Sequence, residues 1–329
     1  MKRAALAIVL LLAPAARDAF AQHSVTGAAV DTAGTPLIGS VRLILRRPAA
    51  TPWEPITTTV SPDGTFILAN VPPGEYLVQA LGARGPGRPA QFGVEQVSVT
   101  DRDPGPITVR ASAGAVLEGV IVVQGQPQSR AATVSLTAGP LDADRAPAIG
   151  QNTLAVYGDG RFYLTGLYGR ARLVLSGASE GWYFKSVKIG AVDATQRGFD
   201  FGVAEQTFRD ALIEIAHATG VISGRVVSGN GGQTGGRTVL VFSTDREKWF
   251  ATSGYLRRTQ SAADGSFRVE GLPPDDYYVA AVDSERAVDS GWQEPETLRA
   301  LGSAALRVTL GDGERTAVEL RSIRPISRP

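Results

Sequence analysis

Apolar and polar residues alternate over short runs along most of this chain. Val41, Leu43 and Leu45 occupy alternate positions, as do Phe66 and Leu68, and then Tyr76, Val78 and Ala80. A period of two puts such side chains on one face of an extended backbone, so the pattern predicts β-strands with one buried face. The one segment that reads as helix is short, residues 296–301.

Turn chemistry punctuates the strands. Asp-Gly followed one residue later by Phe occurs three times, as Asp63-Gly64-Thr65-Phe66, Asp159-Gly160-Arg161-Phe162 and Asp264-Gly265-Ser266-Phe267. Successive aspartates are 96 and 105 residues apart, the length of one small β-sandwich, which predicts three tandem antiparallel sandwiches of immunoglobulin-like or transthyretin-like kind. Each copy starts with a strand whose central glycine lies 36 to 40 residues before the aspartate of its Asp-Gly turn: Val25-Thr26-Gly27, Leu117-Glu118-Gly119 and Ile222-Ser223-Gly224. A second turn follows, Val71-Pro72-Pro73-Gly74 in the first copy and Leu272-Pro273-Pro274-Asp275 in the third. Proline then glycine suits a type II turn, with Gly74 taking a positive φ. The second copy has Leu167-Tyr168-Gly169-Arg170 there and is the most diverged.

Each copy is expected to close with a hairpin, over residues 97–108, 199–215 and 306–320. The seams then fall at 111–114 and 218–220, too short for flexible linkers, which predicts a semi-rigid rod. The domains are therefore expected at 22–111, 112–218 and 219–326. The glycine-rich stretch 229–236 sits where the third copy turns between its first two strands. It lacks the lysine and following helix of a phosphate loop and reads as a hairpin loop.

The N-terminus changes the picture of where such a chain works. Met1-Lys2-Arg3 is a basic start, residues 4–13 are apolar, and Ala19-Phe20-Ala21 is a small-x-small cleavage pattern. Residues 1–21 thus read as a secretory signal peptide, and the apolar run is too short to span a bilayer. No later segment reads as membrane-spanning, so the mature chain is expected to be soluble and exported, in the periplasm or outside the cell. Cysteine is absent, which removes disulfides and thiol chemistry. Lys+Arg number 33 against 32 Asp+Glu, and 30 against 31 without the leader, so the electrostatic footprint of a nucleic-acid binder is missing.

The glycine-bearing start strand, the Gly34-Thr35-Pro36 turn, the Asp-Gly-x-Phe turn and the Val-Pro-Pro-Gly-x-Tyr turn, in this order over residues 25–80, resemble the carboxypeptidase regulatory-like domain. The second and third copies also resemble a large group of secreted bacterial proteins built from this domain, through Gly181-Trp182-Tyr183-Phe184, Lys248-Trp249-Phe250 and residues 298–320. The resemblance implies a seven-stranded sandwich, often classed with carbohydrate-binding-like folds, and a non-catalytic module. It brings no catalytic residue with it.

Catalytic constellations are not apparent in the sequence. The two histidines, His23 and His217, are far apart and lack the close spacing of a zinc site, so they read as strand-end residues. No serine sits in a nucleophile elbow. Asp101/Asp103, Asp142/Asp144 and Asp275/Asp276 fall in predicted turns, where aspartate bonds to local backbone. An internal lysine–asparagine crosslink is not expected, because none of the three start strands holds a lysine, and arginine stays protonated. No metal or cofactor is implied.

Aromatic residues remain. Neighbouring rings on a strand point to opposite faces, so Trp182-Tyr183-Phe184 and Trp249-Phe250 cannot all enter one core. The outer ring of each run either packs against the next domain or a loop, or is open for sugar stacking or a protein contact. Trp182, Tyr183, Trp249, Tyr255 and Trp292 are the candidate ligand-binding residues, while Trp53 lies in a loop segment. The expected function is a non-catalytic binding or structural module with an envelope or extracellular protein as partner. The alternative is a polysaccharide-binding module, and an unrecognised hydrolase is the least supported reading.

Overall fold

A computed structural model describes residues 23–46, 54–85, 89–125, 135–147, 153–176, 181–227, 234–282 and 291–323. The predicted leader, Trp53 and residues 229–233 of the glycine-rich stretch lie outside them. The chain is all-β and divides into two compact units, one of residues 1–84 and 92–111, the other of 85–91 and 112–329.

The first unit contains β1 (His23–Val30), β2 (Gly39–Leu45), β3 (Ile56–Thr59), β4 (Thr65–Val71), β5 (Gly74–Gly82), β6 (Gln91–Val99) and β7 (Ile107–Arg110). One sheet has the order β4-β1-β7, the other β3-β2-β5-β6. Val25, Val41, Leu43, Phe66, Leu68 and Val78 are among the residues of the core between them.

The second unit holds two further sandwiches. The first of these has β8 (Ala115–Val123), β9 (Ser135–Pro140), β10 (Thr153–Val156), β11 (Arg161–Leu167), β12 (Arg170–Ser176), β13 (Trp182–Ile189), β14 (Val192–Asp193), β15 (Phe199–Asp200) and β16 (Thr207–His217). Its sheets run β10-β11-β8-β16-β13-β14 and β15-β12-β9, with Leu117, Ile121, Leu136, Leu164 and Phe201 in the core. The last sandwich has β17 (Gly220–Val227), β18 (Thr238–Ser243), β19 (Leu256–Gln260), β20 (Ser266–Leu272), β21 (Asp275–Val282), α1 (Pro295–Gly302), β22 (Leu306–Leu310) and β23 (Arg315–Ile323). Helix α1 covers the expected helical segment and buries Leu298 and Leu301.

The start strands β1, β8 and β17 occupy equivalent places. Each pairs antiparallel with the strand after the Asp-Gly turn and parallel with the last strand of its sandwich. The register sets Gly27 opposite Phe66, Gly119 opposite Phe162 and Gly224 opposite Phe267. A Cβ on these glycines would land on the carbonyl oxygens of Ile107, Ala211 and Val318 respectively, all in the parallel last strand. The glycine of the start strand is thus required by the close approach of another backbone.

The Asp-Gly turns also repeat in detail. Gly64, Gly160 and Gly265 have φ of 87°, 86° and 78°. Asp63, Asp159 and Asp264 each accept the backbone N–H two residues on, at 3.0, 3.1 and 3.0 Å. These bonds and those from the side chains of Thr65, Arg161 and Ser266 hold all three carboxyls below their ordinary value.

Three sequence expectations need correction. The closing strands are not hairpins: β6 and β7 lie in different sheets, as do β15 and β16, and β22 pairs with β21 while β23 pairs with β17. The last strand crosses over because the start strand offers it a parallel ladder. The positive φ near the second turn belongs to Asn70 (61°), Gly166 (72°) and Gly271 (68°) rather than Gly74, and it marks a bulge where the register with the start strand shifts. Finally, Asp275 and Asp276 begin β21, and their carboxylates bond to Lys248 and Thr309 instead of local backbone. Asp103 likewise reaches far in sequence, accepting from Ser24 N and pairing with His23 Nδ1, both at 3.1 Å.

The second turn separates the sandwiches by a tyrosine. Tyr76 donates its hydroxyl to Pro72 O and Tyr277 to Pro273 O, each at 2.8 Å and with the ring almost wholly buried. The middle sandwich lacks the diproline, and Tyr168, on the turn itself, donates to Ser112 O at 2.9 Å.

Candidate binding cleft

In the diverged middle sandwich one strand edge is left without a described neighbour along most of its length. Strand β5 has β6 as its outer neighbour, and β21 has β22 along five residues. The corresponding neighbour of β12 is β15, which covers only Arg170 and Ala171. Leu141 N–H bonds to Arg170 O on the β9 side, so by alternation the backbone groups of Leu173 and Leu175 face away from β9. Beyond Ala171 no described strand takes them up. In the other sheet, Gly181 O bonds back towards β16, which turns the backbone groups of Trp182 and Phe184 to the outer edge of β13.

These two edges bound a cleft of about 310 Å³, whose other described walls are Thr195 and Gln196 and the 250–257 segment of the last sandwich. The Arg172 guanidinium lies 3.8 Å from the Phe250 ring centroid and its Nε donates to Gln196 O at 2.8 Å. Burial pulls this guanidinium below its ordinary value. Tyr183 meets Tyr255 edge to face at 6.1 Å, and a small apolar cluster of Tyr183, Ala216 and Ala218 packs with Tyr255. Burial, assisted by the charge of Asp275, pushes the Tyr255 phenol well above its usual range. Outside the cleft, Arg197 Nε donates to Glu247 at 2.8 Å, a further tie between the sandwiches.

The candidate aromatics divide into two groups. Trp182, Tyr183 and Tyr255 come together at the cleft; Trp182 is half-buried and set edge-on to His217 at 5.3 Å. Trp249 is 7% exposed, packed against Phe242, and its indole N–H donates to Ser243 O at 2.7 Å, so the core takes it up. Half-buried Trp292 joins the same cluster. Arg172, Gln196 and Arg257 carry no aromatic or turn signal, and their place at or beside the cleft is set by strands distant in sequence.

Ser253 and Thr195 each bring a hydroxyl to the lining of the cleft. Ser253 Oγ accepts Tyr255 N–H at 3.2 Å, and Thr195 Oγ1 accepts from Val187 N–H at 2.8 Å while donating to Asp193 at 2.6 Å. Both hydroxyls are therefore engaged in shaping loops. Among the described residues no group of three or more His, Asp and Glu is placed to hold a metal, and no helix is long and apolar enough to cross a membrane.

No family model matches the chain, and no curated protein does. Among solved structures it is similar to the Bacillus anthracis TIE protein, at 12% identity over 92% of this chain with a TM-score of 0.23; it spans 50% of that chain. It is also similar to a streptococcal ancillary pilin (14% identity, 91% of this chain and 98% of that one, TM-score 0.28) and to a DUF3823 family protein from Parabacteroides merdae (9%, 89% and 98%, 0.23). Superpositions this loose carry no weight for fold or function.

Proposed function

We propose that this chain is an exported, non-catalytic module that binds a protein partner in the cell envelope. In this reading residues 1–21 are a removed leader, and 22–111, 112–218 and 219–326 are three domains of carboxypeptidase regulatory-like type. The common placing of start strand, Asp-Gly turn and last strand supports the repeat. The observation that carries the binding function is the cleft, where two strand edges whose outward backbone groups no described strand takes up lie beside aromatic rings. An extended peptide segment satisfies such edges with amides that repeat at strand spacing, a match that a sugar ring does not offer.

A second reading, polysaccharide binding, draws support from Trp182, a half-buried indole that lines the cleft, since such rings stack on sugars. One experiment separates the two. A photo-cross-linking residue at exposed Thr252, with Ile67 as a remote control, is expected to capture an envelope protein, and Trp182→Ala is expected to abolish capture while the circular dichroism stays native. Retention of the unmodified chain on a polysaccharide panel including peptidoglycan, lost in Trp182→Ala, would replace the first reading by the second. Equal capture from Thr252 and Ile67 would refute a partner at the cleft.

A further inference from the structure

The cleft carries more detail than its outline. Among the described residues that line it, Arg257 is the one charged side chain and none is acidic. Its terminal nitrogens donate to Leu256 O at 3.1 Å and Gly271 O at 3.4 Å, while Nε is buried with no hydrogen-bond partner. Carbonyl oxygens hold the guanidinium in place, and no described carboxylate lies within ion-pair distance of it. The nearby ammonium of Lys248 is different: it is paired with Asp275 at 2.9 Å over the Tyr255 ring. A half-buried guanidinium without a counter-charge favours an anionic partner, because a carboxylate there forms a charge-assisted bond in a partly desolvated site.

The other walls say what bears the carboxylate. Leu173 and Leu175 present backbone donors and acceptors at strand spacing, the ladder that an added extended segment completes. An extended segment sends alternate side chains to opposite sides, and rings stand along the cleft at Trp182, Tyr183, Phe250 and Tyr255. We propose that the cleft receives an extended peptide strand of the partner protein, paired along the Leu173–Leu175 edge of β12 and carrying an aspartate or glutamate that meets Arg257. The inference rests on the reading of the cleft as the site for a protein partner and names that partner's chemistry.

The test is selection of a randomised, phage-displayed heptapeptide library on the immobilised chain from Gln22 onward, run in parallel on Arg257→Glu and Arg257→Gln. The chain is expected to enrich peptides with one acidic residue among alternating apolar ones, and Arg257→Glu is expected to enrich lysine or arginine at that place. For a selected peptide, replacing its acid by the amide, or Arg257 by Gln, is expected to weaken binding about tenfold, the effect of roughly 1.4 kcal/mol. Methylation of one of its strand-pairing amides should weaken it similarly. Enrichment without an acid, an acid preference that survives in Arg257→Gln, or no enrichment would each overturn the proposal. Should Arg257→Glu fail to fold, the comparison with Arg257→Gln decides alone. Thr252 cross-linking to an envelope protein would still stand in those cases, so this proposal can fall while the broader function holds.

Discussion

The middle and last sandwiches share start strand, turn and last strand, and differ in what covers the strand after the second turn. In the last, β22 lies along five residues of β21, and α1 packs Leu298 and Leu301 onto the same sandwich. In the middle one, β15 covers two residues of β12, and the chain in between goes to β13 and β14, which widen the opposite sheet to six strands. A repeat can therefore keep its core and lose its edge protection. An uncovered edge is normally a liability for aggregation, and here the 250–257 segment of the neighbouring sandwich stands beside it.

The shared part of the comparison breaks most severely at its glycines. Gly119→Ala or Gly224→Ala drives a methyl group into a carbonyl of the parallel last strand, and each is expected to destabilise by about 3 kcal/mol, read from the midpoint of urea unfolding. A loss below 1 kcal/mol would mean that the last strand moves away easily. The differing part is sharpened at the tyrosines. Tyr277→Phe and Tyr76→Phe remove buried hydroxyl bonds and should each cost about 1 kcal/mol; the same loss in Tyr168→Phe would show that the bond to Ser112 replaces the missing corner bond. Smaller still is the coupling across the cleft, where a double-mutant cycle of Arg172→Ala and Phe250→Ala is expected to give about 0.5–1 kcal/mol, and a coupling near zero would remove the stacking contact from the account.

The least effect belongs to the three exposed turn carboxyls. Asp63, Asp159 and Asp264 are held below the ordinary carboxylate value by hydrogen bonds, so each contributes stability that is present above the unfolded-state pKa of about 4 and is lost as pH falls through the lower folded-state value. Melting temperatures should decline below about pH 4, and a variant with Asn at all three positions should decline less steeply. Parallel curves for the two proteins would place the acid sensitivity elsewhere.

The turn chemistry was legible because it is local: Asp, Gly and Phe lie within four residues, and their geometry recurs three times. The glycine of the start strand was visible as a pattern but not as a cause, since the carbonyl that excludes a side chain there is about 80 to 95 residues away. Parallel pairing of first and last strands leaves no short turn behind, and the closing strands consequently read as hairpins. At the cleft, crowding of rings on one strand pointed to Trp182, Tyr183 and Tyr255. The same reasoning pointed to Trp249, whose ring the core accommodates because Ser243 O is there to receive its N–H. Arg172 and Arg257 were illegible: each belongs to an ordinary strand, and only the shortness of β15 makes the space beside them a cleft.

The parallel placing of first and last strands has a mechanical consequence. Tension on the two ends of a sandwich pulls those strands along each other in opposite directions, loading every bond of the ladder together, whereas a hairpin pulled at its open end unzips one bond at a time. The unbroken ladder is four residue pairs long between β1 and β7, five between β8 and β16, where a bulge sets off two further pairs, and seven between β17 and β23. A chain stretched from end to end should therefore yield first in residues 23–110 and hold longest in the two sandwiches that bound the cleft.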